Sequence, residues 1–108
     1  MQRIYLSGPM TGLPEMNYPA FHAEAARLRA LGYDVVSPAE GGELPTYEAY
    51  MRRGMLQMLT CDTVALLPGW LNSRGAVAER DAGLICGLHI TRAASITKRC
   101  KAVAEVVL

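Results

Sequence analysis

TVALLPG, residues 63–69, is apolar at every position from Val64 to the turn, with no polar residue alternating in. A strand of that kind belongs in a parallel sheet covered on both faces, because an antiparallel strand with one wet face alternates. Arg3-Ile4-Tyr5-Leu6-Ser7 reads the same way, stopped by Gly8-Pro9, and Tyr33-Asp34-Val35-Val36 gives a further strand ended by Ser37-Pro38. Leu88-His89-Ile90-Thr91 is the fourth.

Between these runs the apolar period lengthens. From Ala20, residues Phe21, Ala25, Leu28 and Leu31 recur at helical spacing with charges on the other face and Gly32 as a C-cap. Thr46 is placed to cap a helix running to about Leu59, whose apolar stripe is Tyr47, Tyr50, Met51, Met55, Met58 and Leu59. A third helix spans about Gly75 to Cys86 and closes on Gly87. The tail from Ala93 is readable as a helix through Ile96, Val103 and Val106, although VAEVVL also suits a strand. Strands and helices in strict alternation predict an open parallel α/β sheet wound by right-handed crossovers. The 108 residues form one domain, 1–108, with room for a single core.

A formal charge of +1 with mixed signs gives no basic field, so neither nucleic acid nor an anionic membrane is an expected partner. Cys61, Cys86 and Cys100 are odd in number and widely spaced, which fits neither a disulfide framework nor a metal site and suggests a reduced, cytoplasmic setting. The opening MQRIYLSGP meets its first glycine too early for a signal-peptide core, and no apolar run approaches the ~20 residues of a membrane span.

In a sheet of this kind ligands bind beyond the carboxyl ends of the strands. Ser7-Gly8-Pro9-Met10 and the segment from Pro68 to Gly75 fall there, and Glu79 lies in the first turns of the third helix, facing Tyr5 across the crevice. Ser73 and Gly75 flank the start of that helix, where free N–H groups and the helix dipole favour a phosphate. Trp70 is equally suited to stack on a base or to anchor its loop. His22 and His89 are far apart in sequence and read as structural. Common nucleotide and hydrolase motifs are absent.

IYLSGPMTG, YDVVSPAE, CDTVALLPGW and SRGAVAERDAGLICGL, in that order over residues 3–91, resemble the nucleoside 2-deoxyribosyltransferase-like superfamily, and within it a group of small bacterial and phage domains carrying GPMTG and LPGW. The resemblance implies a flavodoxin-like (Rossmann-like) sheet of four to five strands with helices on both faces. It also implies a homodimer or higher homo-oligomer, and cleavage of the N-glycosidic bond of a (deoxy)nucleoside or its 5′-monophosphate with no metal or other cofactor. It places the nucleophile at Glu79, the tyrosine that orients it at Tyr5, and sugar or phosphate contacts at Gly8, Pro9 and Met10. Transferases of the superfamily tend to carry an aspartate where this chain has Ser73; the 5′-monophosphate hydrolases tend to carry serine. A neutral hydroxyl accepts a phosphate where a carboxylate repels it, so a nucleotide is the expected substrate. Relatives commonly place an aspartate that handles the leaving base where this chain has Gly54, with Asp81 or Glu48 as substitutes here. Three functions follow: a glycosidase of nucleoside monophosphates, a transferase exchanging bases, or a nucleotide-binding module without turnover.

Overall fold

β1 (Arg3–Ser7) is the strand around which the chain winds in the computed structural model, whose described residues are 1–101. β2 (Asp34–Val36) pairs with one edge of β1 and β3 (Thr63–Leu66) with the other, and β4 (His89–Arg92) follows β3. All three pairings are parallel, and the order β2-β1-β3-β4 puts the reversal of winding between β1 and β3. This is the expected open α/β sheet, with four described strands.

Because side chains alternate along a strand, β1 divides the interior in two. Ile4 and Leu6 face Phe21, Ala25 and Leu28 of helix α1 (Tyr18–Ala30), together with Ala65, Leu67, Ala93 and Ile96. Tyr5 faces the other way, toward Met58 of α2 (Tyr47–Met58), Val64 and Leu66. Helix α3 (Arg74–Ile85) packs beside α2 on that second side and turns Ala76, Glu79 and Gly83 inward. Ser7 shares the parity of Tyr5 and so faces α2 and α3 as well.

Two sequence expectations are corrected. Helix α1 starts at Tyr18, ahead of Ala20, because Pro19 sits in its first turn, where a missing N–H costs nothing. The turn before it carries Glu15, Met16 and Asn17 at positive φ, braced by the Asn17 side-chain amide donating to the Pro9 carbonyl at 2.9 Å. The tail is not helical from Ala93: Ala93–Ser95 is a single 3-10 turn, and Ile96 is extended and buried. Val103 and Val106 lie outside the described residues. The carbonyls that a helix would have used are taken by Arg27, which donates to Ile96 at 2.7 Å and Ala93 at 2.8 Å, while the Cys100 N–H donates to the Leu31 carbonyl at 2.8 Å. No described helix is long and apolar enough to cross a membrane.

Arg27 therefore ties the tail over the α1 side of the core. Arg27→Ala is expected to cost about 1–2 kcal/mol in denaturant unfolding and to speed hydrogen exchange at the Cys100 amide. Unchanged exchange there means the tail is held by apolar packing alone.

Candidate active site

The strand ends, the α2 start and the α3 start enclose a cavity of about 640 Å³ at the carboxyl edge of the sheet. Its walls come from three segments: the loop after β1, the approach to α2 from Leu44, and the first turns of α3 as far as Glu79. Gly8 is needed at the mouth for a steric reason, since a Cβ there would lie 2.8 Å from that of Leu67.

Glu79 sits between this cavity and the sheet, and only 7% of its surface is exposed. The Tyr5 hydroxyl donates to its Oε2 at 2.6 Å and the Ser7 hydroxyl to its Oε1 at 2.7 Å. The period of two along β1 explains the pairing: residues 5 and 7 point to one face, and α3 lays Glu79 across both. Each carboxylate oxygen has a second lone pair for a substrate. Burial raises the Glu79 carboxyl above the ordinary carboxylate range, and the two hydroxyl bonds oppose that rise without cancelling it. The Tyr5 phenol, raised by burial and then by the adjacent carboxylate, stays protonated and is a fixed donor.

Gly54 of α2 meets this pair at close range. A Cβ at that position would lie 2.7 Å from Glu79 Oε2 and 2.7 Å from the Tyr5 hydroxyl oxygen. A glycine in a helix interior costs ~1 kcal/mol relative to alanine, and here it lets α2 close over the carboxylate. An aspartate, which relatives were noted above to carry commonly at this place, has no room in this packing.

Ser73 is the N-cap of α3, its hydroxyl accepting from the Ala76 N–H at 3.2 Å. The hydroxyl proton stays available, and the amides of Arg74 and Gly75 at the head of the helix have no intrahelical partner. Arg74 and Asn72 join Ser73 and Gly75 on the cavity wall. Gly8, Pro9 and Met10 line it too, whereas Tyr5 and Ser7 stand behind Glu79, fully buried. Ser7, expected against the substrate, thus reaches the site through Glu79.

Trp70 is not brought to this cavity. It packs against the α2-side apolar cluster, with the Arg80 guanidinium 5.2 Å from its ring centre, and borders a separate hollow beyond β3 and β4 together with Leu66. Its placement is that of a loop anchor. His22 and His89 are exposed and off the cavity wall, as are Glu48 and Asp81, the latter paired with Arg80 at 3.0 Å.

Residues that the sequence reading assigned to a core stripe do line the cavity. Tyr47, 47% exposed, Tyr50 and Met51 stand on the first turns of α2, and Tyr18 opens α1 opposite them. Tyr50 is fixed by the Leu44 N–H donating to its hydroxyl at 2.8 Å. Their signal was position: α2 starts at the carboxyl edge, so its first turns overlook a ligand and only its later ones, such as Met58, reach the core.

Two outcomes follow from the buried carboxyl. Its folded pKa lies above the unfolded value, so the native state binds the extra proton between the two and stability falls as pH rises through that window. Glu79→Gln is expected to raise stability by ~1 kcal/mol, about 4–8 °C in Tm, above the window and by little below it; thermal scans from pH 4 to pH 8 read the difference. Gly54→Ala is expected to lose on the order of 1 kcal/mol, overpacking outweighing the helix gain. A more stable Gly54→Ala protein in urea unfolding would contradict the close packing of α2 on Glu79.

Two solved structures share this arrangement of strands and helices. The 2-deoxyribosyltransferase from Leishmania mexicana is 14% identical with a TM-score of 0.68, over 84% of this chain and 63% of that one. The 2-deoxyribosyltransferase from the psychrotolerant bacterium Bacillus psychrosaccharolyticus is 21% identical with a TM-score of 0.63, over 82% of this chain and 69% of that one. This chain therefore spans less than two thirds of the Leishmania protein's length, and the likeness at these identities is one of fold. No curated protein matches the sequence. Residues 2–92 match the family described as a domain of unknown function, DUF4406. The chain belongs to that family, and it carries the flavodoxin-like fold of the nucleoside 2-deoxyribosyltransferases.

Proposed function

We propose that the protein cleaves the N-glycosidic bond of a (deoxy)nucleoside 5′-monophosphate with Glu79 as nucleophile. The observation that carries this reading is the Glu79 carboxylate, buried at the cavity wall and fixed through one hydroxyl on each oxygen. A nucleophile held by two rigid donors has no rotamer search to make before attack, which is how positioning lowers a barrier. Glu79 attacks the anomeric carbon as the base leaves through an oxocarbenium-like transition state, and the glycosyl ester is resolved by water. Ser73, Arg74 and the free amides at the head of α3 hold the phosphate, supported by the dipole of a twelve-residue helix.

A second reading, base exchange between nucleosides, is favoured by the fold shared with two 2-deoxyribosyltransferases. The two readings differ in whether water or a base resolves the ester. The third, a binding module without turnover, rested on the glycine at position 54. Close packing supplies another reason for that glycine, so it no longer argues for lost activity.

Incubation with a panel of deoxynucleoside monophosphates, with free base followed by chromatography, tests the proposal. Base release is expected without an added acceptor, to fall at least about 1000-fold in Glu79→Ala, and to lose its preference for monophosphate over nucleoside in Ser73→Asp. Release that requires an acceptor base identifies a transferase. No release from any substrate, with Glu79→Ala indistinguishable from the parent, rules out both.

A further inference from the structure

When a neutral base leaves the anomeric carbon, the electron pair of the broken bond stays on nitrogen, and departure is slow unless a proton arrives with it. The cavity walls carry, among the described residues, no second carboxyl and no imidazole to bring that proton. Among the described residues Glu79 is the one carboxylate on its walls, and it is engaged as nucleophile. The facing position on α2 is Gly54, where a Cβ would already lie 2.7 Å from Glu79 and Tyr5. Asp81 is paired with Arg80, and Glu48 is off the wall. The protic groups that remain are hydroxyls, the Asn72 amide and the Arg74 guanidinium, with neither a second carboxyl nor an imidazole among them. The same walls present the rings of Tyr18 and Tyr47, with the thioether of Met51 between the α2 and α3 starts, and that of Tyr50, which already lies 5.4 Å from the Arg53 guanidinium. Rings of that kind attract a cation through their faces.

Resting on the glycosidase reading above, we infer that the site is matched to a nucleoside 5′-monophosphate whose base is already cationic: a pyridinium joined through its quaternary nitrogen, or an N7-alkylpurinium joined through N9. With such a substrate no acid is required. A Glu79 oxygen forms its bond to the anomeric carbon as the carbon–nitrogen bond breaks, the bonding pair neutralises the ring's positive charge, and the base departs neutral. Water then adds its hydroxyl to the anomeric carbon, the Glu79 carboxylate is released, and the remaining proton passes to solvent. A cationic ring beside the buried carboxylate also supplies the counter-charge that burial has removed, favouring the ionised form that attacks. The phosphate stays at the α3 head beside Arg74, away from the ring.

A matched pair of substrates tests this: guanosine 5′-monophosphate and its N7-methylated cation, each given to the whole purified protein, with the 5′-monophosphate of pyridinium-3-carboxamide riboside as a second cation. The expected result is a kcat/KM about 100-fold or more higher for the N7-methylated nucleotide than for its parent. For the pyridinium nucleotide, the rate is expected to rise with pH through the ionisation of Glu79 and then stay level, with no falling alkaline limb. Equal or faster cleavage of the unmethylated nucleotide overturns the inference and leaves the glycosidase reading standing. Release from any neutral deoxynucleoside monophosphate without release from either cation does the same. No release from any of them removes both.

Discussion

A carboxylate under a helix, against the apolar face of a sheet, is unstable there unless both its oxygens are bonded. The contact of Glu79 with Tyr5 and Ser7 meets that condition, and three features of the architecture serve it. β1 supplies two hydroxyls on one face, α3 sets the acid across them, and α2 gives up a side chain at Gly54 to let the layer close. The three elements meet at this one carboxylate. A shift of β1 by one residue would turn both hydroxyls to the α1 side, leaving Glu79 buried and unbonded.

The arrangement is a compromise between stability and reactivity. Two short hydroxyl bonds lower the cost of charge on Glu79, but burial still holds its carboxyl above the usual range. The protein keeps an acid that is partly discouraged from ionising at the position where the proposed function needs an ionised one. A carboxylate freely solvated at the helix surface would ionise readily and attack poorly, because water would have to be stripped from it first. The constrained donors replace that water in advance.

Much of this was legible in the sequence, for identifiable reasons. β1 is buried from Ile4 onward and β3 throughout, so their apolar runs announced strands in a parallel sheet, and the alternation with helices then fixed the crevice where Glu79, Ser73 and the β1 loop meet. What was not legible depended on distances across elements. Gly54 read as a lost acid because its neighbours on β1 and α3 are invisible in one dimension. Tyr47 and Met51 read as core because a helical stripe does not reveal where the helix overruns its sheet. Trp70 stood open between two roles until Arg80 was found against its ring. The tail misled because Ile96 is apolar and buried in the α1-side core, as a helical residue would be, while Arg27 captures its carbonyl.

The order of residues within α3 carries one more constraint. Arg74 and Glu79 have opposite charge demands, one suited to an anion and the other to a carbon gaining positive charge, and both face the same cavity. At a rise of ~1.5 Å per residue, the helix separates them by roughly 7.5 Å along its axis, about the span of a ribose with its 5′ arm. The dipole strengthens the separation, favouring negative charge at the head of the helix and fading within the first turn, before Glu79 is reached. On the proposed function, a substrate held by its phosphate at Ser73 and Arg74 would have its anomeric carbon within reach of the carboxylate. The segment SRGAVAE would then set both the anchor and the point of attack, with Tyr5 and Ser7 of β1 holding the acid in place.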